Sequence, residues 1–248
     1  MPFTVSHPAI IMPILKHRHI DRTALIVGSM APDFEYFIHF KPYQVYGHTL
    51  LGFLIYNLPM VILVSFIFHK LIKPSLISNL PEWLTNRVVS NQPQAFKLSF
   101  RSTVIFIYSA LFGMLTHLIW DSFTHYSGVA VKWFGLNQMI DIGLVQIPLY
   151  KFLQHGSTVI GFIIIFFYIL NIKENKRLCL KSRKEKIFYW FIVSLLSVVL
   201  MCSFIVMINI ASLGGYVVSF MNAVMLSILI ISVAEIMYKY FKTELRYK

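Results

Sequence analysis

Charge is scarce in this sequence. Asp, Glu, Lys and Arg make up only 13% of its 248 residues, against about a quarter in soluble domains. Acid is the scarcer sign, with ten Asp and Glu against 22 Lys and Arg. So little charge cannot coat a soluble surface. With 57% hydrophobic residues and a mean hydropathy of +0.70, the class indicated is an integral membrane protein. The net charge of +12 then has a source in positive-inside loops, and nucleic acid is not an expected partner. Only two cysteines occur, Cys179 and Cys202, with no Cys-x-x-Cys, which argues against a disulfide framework or a thiolate metal site. A secretory signal is not expected either: "MPFTVSHPAIIMPILKHRH" has no basic stretch before its apolar part, which Pro8 and Pro13 interrupt. No internal repeat is visible.

What is abundant is long apolar runs. Five can cross a hydrocarbon core, which takes about 20 helical residues: roughly 50–72, 103–120, 158–172, 187–208 and 216–238. The third is short, so an earlier start is expected. Pro59 predicts a kink in the first, and Gly214-Gly215 a turn between the last two. Prolines punctuate residues 1–49, predicting short interfacial helices over 8–15 and 24–31, with Ser6 as a cap. Residues 74–98 read as a loop with a short helix near Glu82–Val89. The expected fold is all-α: a polytopic bundle of about five transmembrane helices plus short interfacial helices. Three segments compose it. Residues 1–49 carry interfacial helices and ligand candidates, 50–172 the first three spans, and 173–248 a basic loop and the last two spans. Sixteen of the 22 Lys and Arg flank or join spans so as to lie on one side. That side is predicted to be cytoplasmic, with residues 1–48 and 121–156 on the outer face.

The outer side collects eight of the nine histidines and five of the ten acids: Asp21, Asp33, Glu35, Asp121 and Asp141. Most pointed is "LTHLIWDSFTH", where His117, Asp121 and His125 are each four residues apart. On a helix, His117 and Asp121 share a face about 6 Å apart along the axis, and His125 lies about 12 Å from His117. Either the helix ends near Ser122–Thr124 and His125 folds back, or two metals straddle Asp121. The competing reading is a polar rim, or a buried His–Asp hydrogen bond. His7, Asp33, His48 and His155 are further ligand candidates. Each has a plain alternative: a first-turn helix residue, an N-cap, an interfacial histidine and a loop residue before Ser157. Imidazoles and carboxylates without thiolate suit zinc, and also manganese or iron. A spare carboxylate, Asp33 or Glu35, is the candidate base, although Glu35 would face elsewhere on a helix. His17 and His19 read as a solvated turn, Asp141 as a helix cap, and Asn57, Asn209 and Asn222 as interhelical hydrogen-bond partners.

The blocks "MPFTVSHPA", "GSMAPDFEYF", "GHTLLG", "LTHLIWDSFTH" and "QHGSTVIG" resemble a bacterial family of multi-span membrane proteins of unknown function. That family is similar to inner-membrane metal-dependent hydrolases related to a LexA-regulated protein, and more remotely to zinc-dependent phospholipase C. The resemblance implies His7, Asp33, His48, His117, Asp121, His125 and His155 as ligands, and a bacterial cell membrane as the location. Three departures stand out: Met1-Pro2 opens the chain in place of Trp, Val159 stands where the soluble enzymes have an acid, and the spacing after Asp121 is shorter. One or two ions are therefore expected rather than three.

The expected function is a membrane-bound metal-dependent hydrolase that cleaves a phosphoester in a lipid or lipid-linked substrate, with membrane lipids as its partners. A non-catalytic protein with a structural metal is one alternative. A transporter or proton relay is another, but the ionisable groups cluster at one end of the spans and form no path across them.

Overall fold

The structure is a computed structural model and describes residues 3–90, 99–143, 145–174, 181–210 and 212–244. Short helices α1 (Arg22–Gly28) and α2 (Phe34–His39) precede α3 (Leu50–Asn79) and α4 (Glu82–Ser90). Then come α5 (Phe100–Thr124), α6 (Val129–Trp133), strands β1 (Met139–Ile142) and β2 (Val145–Pro148), α7 (Leu149–Leu170), α8 (Arg183–Ile208) and α9 (Leu213–Glu244). Among the described residues, five helical stretches are long and apolar enough to cross a membrane, and they begin with α3, α5, α7, α8 and α9. The third starts at Leu149, earlier than its apolar run, as expected.

The chain forms two compact units. The first comprises Met1–Phe34, Val45–Ile62 and Pro93–Asn171, and the second Glu35–Gln44, Leu63–Gln92 and Ile172–Lys248. In the first unit, residues Thr4–Ile14 wind as a tight 3-10 helix. Pro8 and Pro13 lack the N–H groups that an α-helix would use there. Ser6 is not its cap: the cap residue is Phe3, whose carbonyl accepts from the Ser6 hydroxyl at 2.8 Å. Ile11, Met12 and Leu15 form a core with Leu25 of α1, and Ile165 and Tyr168 of α7 pack on it. Helix α1 lies against α5 at the backbone, because both contact points are glycines. A Cβ at Gly113 would come within 2.7 Å of the Ser29 nitrogen, and one at Gly28 would collide with the Ala110 backbone.

Helix α5 starts in a capping box between Ser99 and Ser102. It stops at Thr124, and His125 is extended (φ −116, ψ 142). Of the two outcomes anticipated for the His-Asp-His row, the helix end is the one found. A small β-hairpin then joins two spans in a chain that is otherwise helical, as expected. It pairs Ile140 with Ile147 and Ile142 with Val145, so one face is wholly apolar. Asp141 sits in β1 opposite Gln146, not at a helix cap.

Prolines shape α3. Phe53–Asn57 and Phe68–Ile72 are π-helical turns, each ending two residues before a proline, Pro59 and Pro74. A proline clashes with the carbonyl four residues back, and the widened turn makes room for it. The expected kink takes this form, and residues 74–79 continue the helix where a loop was expected.

In the second unit, α8 opens with a capping box of Ser182 and Glu185 and ends at Asn209 (φ 50). Asn209 therefore reverses the chain as a left-handed C-cap instead of bonding a neighbouring helix. Gly214 and Gly215, expected to make this turn, lie in the first turn of α9. The unit buries small polar side chains, Ser197, Ser219, Ser227 and Ser232, along with Val193, Val218 and Ala223, while Phe191, Leu195 and Phe220 are exposed. Small residues between the helices and large apolar ones outside suit a lipid-facing bundle. Asn222 donates to the Phe37 carbonyl at 2.8 Å, so its partner is a short-helix backbone.

Candidate metal centre

Three irregular backbone segments and one helix bring the site together within the first unit. Asp33 ends a 3-10 turn, Ala31–Asp33, opened by Pro32, and its carboxyl is wholly buried. The Thr4 hydroxyl donates to Asp33 Oδ2 at 2.7 Å, leaving Oδ1 turned towards the cluster. His48 lies in the bend before α3. Asn57, in the first π-helical turn, anchors that bend by donating to the Gly47 carbonyl at 2.7 Å. His117 and Asp121 come from successive turns of α5, and His7 from the first 3-10 helix.

Asp121 is the hub. Its Oδ2 is 3.2 Å from His48 Nε2 and 3.3 Å from His117 Nε2. Its Oδ1 is 3.6 Å from His7 Nε2 and 3.5 Å from His125 Nδ1. Asp33 Oδ1 stands 3.5 Å from His117 Nε2 and 3.9 Å from His48 Nε2. One ligand atom from each of Asp33, His48, His117 and Asp121 lies within 4.8 Å of the other three. The imidazoles of His7 and His117 stack at 3.8 Å.

The hydrogen bonds show which atoms await a partner. His117 Nδ1 lies 2.8 Å from the Ser29 carbonyl, which only accepts, so Nδ1 carries the proton and donates. In a neutral ring, Nε2 then offers a lone pair to two carboxylates. His125 Nδ1 likewise donates to the Asp121 carbonyl at 3.2 Å. Among the described residues, His7 Nε2, His117 Nε2, His125 Nε2, Asp33 Oδ1 and Asp121 Oδ1 are buried without a hydrogen-bond partner. His117 Nε2, an acceptor in the neutral ring, faces Asp33 Oδ1 and Asp121 Oδ2, which also accept, so a positive charge belongs between them, either a proton or a metal ion. A histidine fixed through its other nitrogen to a backbone carbonyl is the usual arrangement of a metal ligand.

Burial, with the neighbouring His117, holds His7 down at about 3, so it is a neutral donor of electrons at ordinary pH. Burial pushes the Asp33 carboxyl up, but the neighbouring His117 more than offsets this and keeps it below its usual range. Asp33 is an anion here.

The structure thus brings four of the seven ligand candidates, Asp33, His48, His117 and Asp121, into one group, with His7 and His125 beside Asp121. The seventh is elsewhere. His155 is exposed in the interior of α7, not in a loop. Gln154, Ser157 and Thr158 occupy the inward face of that turn: Thr158 accepts from the Phe3 N–H and Ser157 from Trp120. Glu35 is buried in the second unit and is not part of the group. His39 is exposed against Tyr43, and the exposed His17 lies beside the half-buried His19. Two supports were not anticipated from sequence, the Thr4 hydroxyl and the Ser29 carbonyl. Each lies inside a quoted block, three residues before His7 and four before Asp33, but no local pattern marks a side chain that acts across the fold.

A membrane-spanning helical protein with a buried Asp/His group able to hold a metal ion is the class that these features define. The chain belongs to the family described as domain of unknown function DUF4184, whose pattern matches residues 1–238. No curated protein and no solved structure matches it.

Proposed function

We propose that this protein is a membrane-embedded metal-dependent hydrolase of phosphoesters, acting on a lipid or lipid-linked substrate at the outer membrane–water interface. The supporting observation is the convergence of Asp33, His48, His117 and Asp121 ligand atoms within 4.8 Å. Zinc is the first choice of ion for imidazoles with carboxylates, and manganese or iron fit the same donors. A divalent ion there would polarise a phosphoryl oxygen and acidify water.

The chain's own residues divide the remaining work. Thr4 fixes which Asp33 oxygen faces the site, and the Ser29 carbonyl fixes the His117 tautomer. Asp33 fits a ligand role better than that of a base, since Thr4 occupies Oδ2 and Oδ1 faces His117. Substrate access is on the side of His48 and His125, whose side chains are 17% and 26% exposed against 1% for Asp33 and 0% for His117. The full burial of Asp33 and His117 also favours a second reading, a purely structural ion.

Elemental analysis of the purified protein, followed by phosphomonoesters and phosphodiesters offered in detergent, tests both. The expected result is a bound divalent metal with chelator-sensitive turnover. Metal without turnover on any phosphoester selects the structural ion. Absence of metal after zinc supplementation overturns both.

A further inference from the structure

In the first unit the chain reverses at Lys16–Ile20, a turn that the metal centre does not use, and neighbouring helices fix the depth of its tip. Residues 3–15 run alongside α7. The Phe3 N–H donates to Thr158 Oγ1 at 3.1 Å. A Cβ at Gly161 would stand 3.0 Å from that of Ser6. Ile165 and Tyr168 pack on Ile11, Met12 and Leu15. The chain therefore travels from the middle of α7 almost to its end at Leu170. It then returns along α5 at a constant offset of 88 residues. The Asp21 N–H donates to the Ser109 hydroxyl at 3.0 Å, and His117 Nδ1 donates to the Ser29 carbonyl at 2.8 Å. Between them, a Cβ at Gly113 would strike the Leu25 carbonyl. This return leg climbs about 12 Å towards the metal centre.

The tip thus lies level with Tyr168. About 29 Å of α7 separates that level from Leu149, next to the β-hairpin, which is close to the thickness of a hydrocarbon core. Both legs are largely apolar, whereas Lys16, His17 and Arg18 at the tip are exposed. Charge facing hydrocarbon is costly, so the tip belongs at the far membrane surface. Arg22 Nε closes the turn by donating to the Leu15 carbonyl at 2.9 Å. The acid there, Asp21, is taken up as the cap of α1, accepting from the Ala24 N–H at 2.8 Å. Among the described residues the Lys and Arg ion pairs are Arg87–Glu174 and Lys181–Glu235, so no acid neutralises Lys16 or Arg18. We infer that residues 3–29 form a re-entrant hairpin whose basic tip docks on anionic phospholipid headgroups of the leaflet opposite the β-hairpin. This differs from the outer side expected for residues 1–48. It also sharpens the charge bias: 19 of the 22 Lys and Arg then share the cytoplasmic side, leaving Lys41, Lys132 and Lys151 outside. The inference is independent of the hydrolase reading.

Two measurements on the full chain in vesicles test it. With Cys179 and Cys202 replaced by serine, His17→Cys should react with an impermeant maleimide from the side that labels Arg101→Cys, and not from the side that labels Asn137→Cys. With p-benzoylphenylalanine at position 17, in vesicles of equal phosphatidylglycerol and phosphatidylcholine, irradiation should attach mainly phosphatidylglycerol. Lys16→Gln together with Arg18→Gln should lower that preference about 30-fold, roughly fivefold for each cation near the surface. Lys16→Arg together with Arg18→Lys should keep it. Labelling of position 17 from the Asn137 side, equal attachment of the two lipids, or a preference unchanged by the double glutamine variant overturns the inference. Loss of the preference in inorganic phosphate at constant ionic strength assigns the tip to a free anion and overturns the lipid source.

Discussion

Asp121→Asn is the sharpest perturbation of the metal centre, because the change is nearly isosteric and removes one of the two carboxylates that the described residues place there. At an effective dielectric of about 20, a unit charge some 3 to 4 Å away is worth roughly 4 to 5 kcal/mol. A divalent ion that loses one carboxylate therefore loses at least that much, about a thousandfold in affinity. An ion present at about 100 times its Kd stabilises the fold by roughly 2.7 kcal/mol, and after the substitution by almost nothing. For a chain of this size that corresponds to a Tm difference of about 5–10 °C. Thermal unfolding in detergent, with and without chelator, reads it directly. Wild type should lose several degrees on chelation, and Asp121→Asn should show no difference between the two conditions. If the cluster is instead an ion pair held by a proton on His117, chelator is without effect on wild type. Asp121→Asn then costs about 3–5 kcal/mol in either condition, as a buried pair broken on one side does. That outcome would refute the metal centre.

Other consequences are separable. Thr4→Val releases Asp33 Oδ2 and should weaken metal binding by about 10- to 100-fold, the usual effect of removing a group that orients a ligand, without loss of helicity; titration with zinc measures it. His155→Ala should leave metal content unchanged, since that side chain is exposed on α7; depletion of metal would place it in the site after all. Gly113→Val pushes α1 off α5 and moves the Ser29 carbonyl that holds His117. Metal retention should fall along with stability, by about 1–3 kcal/mol for an overpacked contact. Trp133 is 80% exposed, next to a hairpin whose Ile142 and Val145 are 42% and 58% exposed. Its fluorescence should be quenched by lipids brominated near the headgroup, and quenching by aqueous iodide alone would put this loop away from the bilayer.

Much of this architecture could be read from the residues, and the parts that could not share a cause. Apolar runs locate the spans because a hydrocarbon core tests only length and polarity, which are local properties. Where the chain turns or changes pitch, local signals compete. Gly214-Gly215 looks like a turn, yet Asn209 takes the left-handed cap and the glycines enter α9. Pro59 marks trouble in α3, but only the structure shows it absorbed by a π-helical turn. Asp141 has the polarity of a cap, but its neighbours pair as strands. For the site, the His-Asp spacing on α5 sufficed to join His117 with Asp121, because a helix makes that contact by itself. Joining them to His7, Asp33 and His48 is a tertiary fact that spacing cannot convey. His155 shows the limit. Its block fits the pattern, and one helical turn decides that Gln154, Ser157 and Thr158 point inward while the imidazole points out.

The irregular segments are better understood as one device than as separate accidents. A regular helix interior satisfies its own backbone groups but places side chains only at fixed intervals of face and rise. Around Asp121 the required points are too close for that. His7 comes from a 3-10 helix that its prolines keep from becoming α, Asp33 from a second 3-10 turn after Pro32, and His48 from a bend tied to a π-helical turn by Asn57. His125 comes from the first extended residue beyond α5. Non-helical backbone at the ends of spans is tolerable only where its polar groups find partners. Here the Gly47 carbonyl is satisfied by Asn57, and the Ser29 carbonyl by His117, which is itself a member of the cluster. The same bonds that stabilise the departures from helix aim the imidazoles inward. An Asn57→Leu change should therefore release the His48 bend and lower metal affinity while leaving α3 helical, with circular dichroism and zinc titration as the paired readouts. Loss of helix in step with loss of metal would mean that the π-helical turn serves folding alone.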